Sequence, residues 1–344
     1  MQELSIRRPD DWHLHLRDTA ALQAVLPFTA RRFARAVIMP NLSPPITTVS
    51  AALAYRERIR AALAPDARFT PLMTLYLTDS TAPEEIDRAA ASGAIVGAKL
   101  YPAGATTHSA AGVTDIRRLD AVVERMSERG LPLQVHGEVT DPAVDVFDRE
   151  ARFIDRVLDP LRRRCPQLRV VFEHVTTKAA VEYVCGGQAG IAATVTPQHL
   201  LLNRNALFHG GLRPHLYCLP VLKRETDRAA LLEVVARGDP RFFLGTDSAP
   251  HARAAKESAC GCAGIFSAHA GIELYAEAFD QAGALGRLED FAASFGADFY
   301  GLPRNRETVT LERRAWQPPA HYPFGNGELV PFRAGETIAW TLRS

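Results

Sequence analysis

Two histidines stand two residues apart in DWHLHLRD, residues 11–18 of a 344-residue chain. On an extended strand, residues i and i+2 project from one face, so His13 and His15 point together while Trp12 and Leu14 face the other way. Two adjacent imidazoles chelate one zinc-like ion; the plainer alternative is a pair of histidines satisfied by separate hydrogen bonds. Four further residues of ligand or proton-carrying type end other apolar runs: Lys99, His136, His174 and Asp247. Singly, each has an ordinary explanation, a strand-end histidine as a hydrogen-bonder or an aspartate before Ser-Ala-Pro as a turn former. Six at corresponding positions point to one shared cage. Arg17 continues the face of His15 and offers a bidentate fork for a carboxylate, and Asn41 adds a neutral donor. The plain reading of Arg17 is an ion pair with Asp18 or another surface acid.

Lys99 is the most informative member of the set. Only four of the 40 Lys and Arg residues are lysines. An ammonium group among metal ligands repels cations, but a buried lysine gives up its proton readily. The neutral amine then adds carbon dioxide to give a carbamate, a carboxylate on a long arm able to bridge two metal ions. Arginine stays protonated and is closed to this chemistry. The competing reading is a lysine snorkelling to the rim of the fold.

Such a cage needs elements that bring distant residues to one place. Eight short apolar runs recur along the chain: 11–15, 36–41, 69–78, 94–101, 131–138, 169–176, 191–200 and 241–251. Near-continuous apolar runs of this length suit parallel strands buried on both faces. Helix-like stretches fill most gaps, among them 47–63, 82–93 and 115–130, the last capped by Asp115 and ended by Gly130. Eight strands alternating with helices over about 250 residues is the count for a TIM (β/α)8 barrel, whose active sites lie at the C-terminal strand ends. A doubly wound open sheet is the alternative, weakened because no G-x-G-x-x-G opens the first strand-to-helix turn.

Beyond the histidine pair, the segments IMPNLSPP, AKLYPAGATTHS, HGEV, FEHVTT, TPQHL, RPHLYCLPVLKR, LGTDSAPH, CGCAG and FYGLP resemble the amidohydrolase superfamily, and within it the dihydroorotases of the short bacterial type. They run from residue 11 to about 303. The resemblance implies two zinc ions per subunit, one held by His13, His15 and Asp247 and the other by His136 and His174. Carboxylated Lys99 and a hydroxide would bridge them. It also implies that Arg17, Asn41 and His251 hold a substrate carboxylate, and that His15 and His136 face the substrate. The backbones of Leu219 and Ala263 would meet ring amides. Residues 103–112 would form a mobile lid closing through Thr106 and Thr107, with Asp247 as the proton carrier. The implied reaction is the reversible cyclisation of N-carbamoyl-L-aspartate to L-dihydroorotate, in a homodimer. The alternatives are another cyclic amidohydrolase, such as a hydantoinase or allantoinase, and a non-catalytic homologue serving as a partner subunit. Those ring-opening relatives usually build a sandwich domain partly from residues ahead of the histidine pair, for which the dozen residues here leave no room. A non-catalytic homologue should have lost ligands, and all six stand here.

The bulk properties narrow the classes. A net charge of +1 with no basic stripe argues against nucleic acid as the main partner. MQELSIRRPD lacks the apolar core of a secretory signal, and no run of about 18 apolar residues predicts a membrane span. Five scattered cysteines suit reduced thiols in the cytoplasm better than a disulfide framework. The spacing of Cys260 and Cys262 is short for a structural zinc pair and no second pair follows, so two loop thiols are expected. With no repeat or linker in view, residues 1–344 read as one barrel domain with a C-terminal extension at about 304–344. The role of that extension, which includes the Pro-rich stretch 316–327, is not legible in the sequence.

Overall fold

The computed structural model describes residues 2–187 and 189–343. Eight parallel strands pair in chain order: β1 (Asp10–Leu14), β2 (Arg35–Ile38), β3 (Thr70–Tyr76), β4 (Ile95–Leu100), β5 (Leu133–His136), β6 (Val170–Glu173), β7 (Ile191–Val195) and β8 (Phe242–Leu244). The ring closes just past β8. There Leu14 bridges Ser248, the His15 N–H donates to the Ser248 carbonyl at 3.1 Å, and the Asp247 N–H donates to the His13 carbonyl at 2.9 Å. An open sheet would leave β1 and β8 as unpaired edges. The fold is therefore the TIM barrel expected from the strand count.

The expected helices form within 47–63, 82–93 and 115–130. The Thr48 hydroxyl accepts from the Ala51 N–H ahead of Val49–Ala62. Asp115 accepts from the Arg117 N–H, and Gly130 ends the helix Asp120–Arg129 at φ 65°, a backbone conformation that costs glycine little. The strands stop earlier than the apolar runs suggested. β8 ends at Leu244, so Gly245–His251, bridged to Leu14 at Ser248, become the loop that delivers Asp247 and His251.

Two apolar layers result. Leu14, Ala36 and Ile38 join the larger core between strands and helices. Trp12, Val37, Val171, Ala192 and Phe243 come from five strands around the ring and meet inside it. Strict alternation had placed Trp12 and Leu14 together, opposite the histidines. A register shift between Asp11 and Leu14 breaks the alternation, so Trp12 turns into the barrel and Leu14 out of it. This irregularity is invisible to a period-two pattern.

The floor of the barrel is the helix Phe295–Tyr300. Tyr300 stacks on Trp12 at 4.7 Å between ring centroids, and Phe243 meets Trp12 edge-on at 6.1 Å. The C-terminal extension also acquires a place. Thr308–Glu312 pairs with Glu3–Arg7 on one side and Thr341–Leu342 on the other, and Tyr322–Phe324 forms a hairpin with Gly327–Leu329. Tyr322 packs on Phe28 of the first barrel helix, with ring centroids 4.8 Å apart.

A methyl group on Gly296 would lie 2.0 Å from Trp12 Nε1. Helix propensity alone favours Ala over Gly by about 1 kcal/mol, but a clash of this depth forces Trp12 or the floor helix to move. Gly296→Ala is therefore expected to destabilise the fold by roughly 1–3 kcal/mol, read from the urea unfolding midpoint. A midpoint that stays or rises would show that the floor is looser than described.

Candidate metal centre and active site

The barrel brings together the residues singled out from the sequence. His13, His15 and Asp247 each offer a ligand atom, all within 4.8 Å of one another. Ring centroids of His13 and His174 lie 5.0 Å apart, and those of His136 and His174 4.8 Å apart. Lys99 is fully buried beside them, its Nζ 5.0 Å from the centre of the Tyr101 ring and without a hydrogen-bond partner among the described residues. His174 and Asp247 both sit at positive φ, 40° and 45°. For non-glycine residues such a backbone is strained, and it concentrates at functional sites.

The imidazoles are oriented from behind. His13 Nδ1 lies 2.8 Å from Glu173 Oε2, which also accepts from the Thr194 hydroxyl at 2.6 Å. His15 Nδ1 lies 2.7 Å from Asn41 Oδ1, and His136 Nε2 lies 3.0 Å from Glu138 Oε2. An acceptor at one ring nitrogen places the proton there and leaves the other nitrogen as a lone pair. The free Nε2 atoms of His13 and His15 then stand 3.4 and 3.1 Å from Asp247 Oδ1. Lone pairs facing a carboxylate repel it unless a cation lies among them. Among the described residues, His13 Nε2 and His174 Nδ1 are buried without a hydrogen-bond partner, which a ligand role would also satisfy. The donor set therefore fits divalent metal, with nitrogen and oxygen ligands of the type zinc accepts.

Electrostatics agree with neutral imidazoles around an ionised acid. Burial drives His15 down to about 4, against the pull of Asp247, and drives His136 and His174 down as well. Burial alone would raise Asp247, but the close approach of His15, His13 and Lys99 holds it at about 2. Burial brings Lys99 down to about 8, with Glu173 and Asp247 opposing, within reach of the free amine.

Above the cage, Arg17 donates to the Pro250 carbonyl at 3.0 Å and lies 3.0 Å from His251 Nε2. Asp18, its plausible surface partner, is taken by Arg58 instead. His251 is held neutral, driven to about 2 by burial and then by the charges of Arg17 and Lys256, and its Nε2 is also 3.0 Å from the Ala263 carbonyl. Asn41 is less free than expected: besides serving His15, its Nδ2 donates to the Thr107 carbonyl at 3.2 Å. Thr107 Oγ1 reaches the Ala263 carbonyl at 3.3 Å, so residues 103–112 lie folded down over the site. Thr106 is tied within that segment by Ser109. Among the described residues, the Leu219 N–H and carbonyl and the Ala263 N–H have no hydrogen-bond partner, and an amide edge would complement them.

Sequence reasoning passed over Asp11, Glu138 and Glu173, although each lies in a quoted motif. Asp11 accepts from the Thr246 N–H at 2.9 Å, the Thr246 hydroxyl at 2.5 Å and the His13 N–H at 3.1 Å. An acid one or two residues from a candidate ligand was the available signal.

A model described as the amidohydrolase family matches residues 10–316. The chain is 65% identical over 342 residues to a dihydroorotase of Cupriavidus necator, covering 99% of both. The crystal structure of a Campylobacter jejuni dihydroorotase is similar with a TM-score of 0.91 at 37% identity, covering 100% of this chain and 98% of the other. A Saccharomyces cerevisiae dihydroorotase solved in complex with 5-fluoroorotic acid also reaches 0.91, at 32% identity, covering 100% and 99%. With its barrel, its cage and near full-length identity of this order, the chain belongs to the amidohydrolase family and, within it, to the dihydroorotases.

Proposed function

We propose that the chain interconverts N-carbamoyl-L-aspartate and L-dihydroorotate using two zinc ions. The observation that supports this most is the stacking of two complementary sites: a buried His/Asp/Lys cage below Arg17 and the unpartnered peptide edge of Leu219. His13, His15 and Asp247 would hold one ion, His136 and His174 the other, with carboxylated Lys99 between them. When bound, such a pair lowers the pKa of water and polarises a carbonyl oxygen. Arg17, with His251 and Asn41, grips the substrate carboxylate. Leu219 and Ala263 orient the ring amides, and Thr106 and Thr107 cover them. In hydrolysis, Asp247 takes the proton of the attacking water and passes it to the ring nitrogen as the C–N bond breaks. Ring closure runs in reverse: carbamoyl aspartate and one proton give dihydroorotate and water.

A ring without a carboxylate, as in hydantoin, leaves Arg17 unpaired. The 65% identity to a dihydroorotase likewise favours the acid-bearing ring. Residues 1–344 read as one domain whose extension from about 304 pairs with Glu3–Arg7 ahead of the barrel. Five free cysteines suit the cytoplasm, and the family resemblance suggests a homodimer. Among the described residues no helix is long and apolar enough to cross a membrane.

The deciding experiment is turnover of dihydroorotate by the purified, zinc-replete protein beside Asp247→Ala, which is expected to lose about 10²–10⁴-fold or more in kcat. An inactive wild type with both ions bound would sink the substrate assignment. Arg17→Met removes a charge-assisted contact of roughly 1.5–3 kcal/mol, so KM should rise about 10- to 150-fold for dihydroorotate; an unchanged KM would place the carboxylate elsewhere. Chelation should abolish turnover and added zinc restore it, and activity persisting in verified metal-free protein would refute the cage. Asp247, held at about 2, is a carboxylate at neutral pH, the form that accepts a proton in hydrolysis. Because closure takes up the proton that hydrolysis releases, hydrolysis should gain as pH rises and closure as pH falls; parallel profiles in both directions would contradict the proton route.

A further inference from the structure

Three of the four lysines are buried: Lys99 at 0%, Lys223 at 3% and Lys256 at 5% exposure. Lys256 ends the short helix Arg253–Lys256 and forms no ion pair among the described residues. Its Nζ donates to the carbonyls of Tyr217 at 2.9 Å, Cys262 at 3.0 Å and Gly264 at 2.6 Å. All three ammonium donors are thus spent on backbone carbonyls from two separate loops, one after β7 and one after β8. Beyond this, the Gly264 N–H donates to the same Tyr217 carbonyl at 3.0 Å. Tyr217 lies two residues before Leu219, and Cys262 and Gly264 flank Ala263 on either side.

We propose that Lys256 is a positioning residue for substrate: its ammonium pins together the two loops that present the Leu219 and Ala263 peptide groups, and so sets the width of the slot that receives the ring amides. The assignment of that slot rests on the dihydroorotase reading above. A compact ammonium suits the task, because its three donors converge on one point, whereas the planar fork of arginine spreads its donors over a larger area. Without the charge, three carbonyl oxygens would face one another across an apolar gap. Their mutual repulsion would drive the loops apart. Burial lowers the Lys256 pKa to about 8, so the ammonium predominates at neutral pH, as the three acceptors require. Of the candidate metal ligands only Asp247 shares the stretch after β8, and its N–H is held separately by the His13 carbonyl, so the effect should fall on substrate capture and not on the ions.

The test compares Lys256→Met, which keeps length and loses the charge, with the wild type. Lys256→Gln, which keeps two N–H donors, is run beside it in case the first variant does not fold. Three readouts are taken on the zinc-loaded protein: amide hydrogen exchange of 214–222 and 258–266, KM and kcat for dihydroorotate, and binding of 5-fluoroorotic acid by calorimetry. Exchange is expected to rise in both loops. KM and the 5-fluoroorotic acid Kd are expected to rise at least tenfold together, with kcat within about threefold and metal content unchanged. Unchanged exchange in both loops overturns the pin itself, whatever the substrate. Raised exchange with unmoved KM and Kd overturns the positioning role. A fall in kcat alone, or lost metal, assigns Lys256 to another task. If the wild type neither turns over dihydroorotate nor binds 5-fluoroorotic acid, the dihydroorotase reading fails and the substrate half of the proposal with it, while exchange still decides the pin.

Discussion

The seam between the first and last strands is the constraint on which the site depends. A parallel barrel must join β1 to β8, and here the join is made at the level of the cage. Asp11 accepts two hydrogen bonds from Thr246 and one from the His13 N–H. The Asp247 N–H donates to the His13 carbonyl. Closing the barrel and setting the distance between His13, His15 and Asp247 are thus the same event. A side chain that loosened the seam would lose the fold's closure and the candidate centre together. This explains why an irregular strand is tolerated here. The register shift after Asp11 turns Trp12 inward to the floor helix while His13 and His15 still meet Asp247.

Polar groups around the centre are arranged in pairs of tasks. Each of His13, His15 and His136 gives one ring nitrogen to a buried acceptor and keeps the other for the cage. Burial would otherwise be costly for so many polar groups, since an unpaired one loses its hydration without compensation. Asn41 shows how closely the tasks are joined: one amide orients His15 through Oδ1 and holds the covering segment at the Thr107 carbonyl through Nδ2. Ala263 likewise faces Thr107, His251 and, through its neighbours, Lys256. The slot proposed for the ring amides is therefore built from backbone groups that side chains hold in place.

Most of the strand plan was legible in the sequence, because buried parallel strands read as apolar runs punctuated by helix caps. All eight runs overlap a barrel strand. Asp115 and Gly130 bound their helix as their capping chemistry requires. Strand ends were less legible, because apolar and polar loop residues continue the pattern after pairing stops. The extension was not legible at all. Its strand Thr308–Glu312 finds its partner some 300 positions away at Glu3–Arg7, and nothing local in either segment announces that pairing.

What the sequence determined by itself was the chemistry: which side chains can ligate, carry a proton or hold a carboxylate, and the strand spacing that sends them to one end of a barrel. Residue type and period are local properties, so they can be read locally. Tertiary structure alone decided which ring nitrogen each histidine turns to the centre, that Asn41 serves His15 as well as the covering segment, that Glu173 and Glu138 stand behind the imidazoles, and that Lys256 joins two loops. These depend on distances between residues far apart in the chain. Such distances are set by the closure of the barrel and the packing of its loops, which no local pattern encodes.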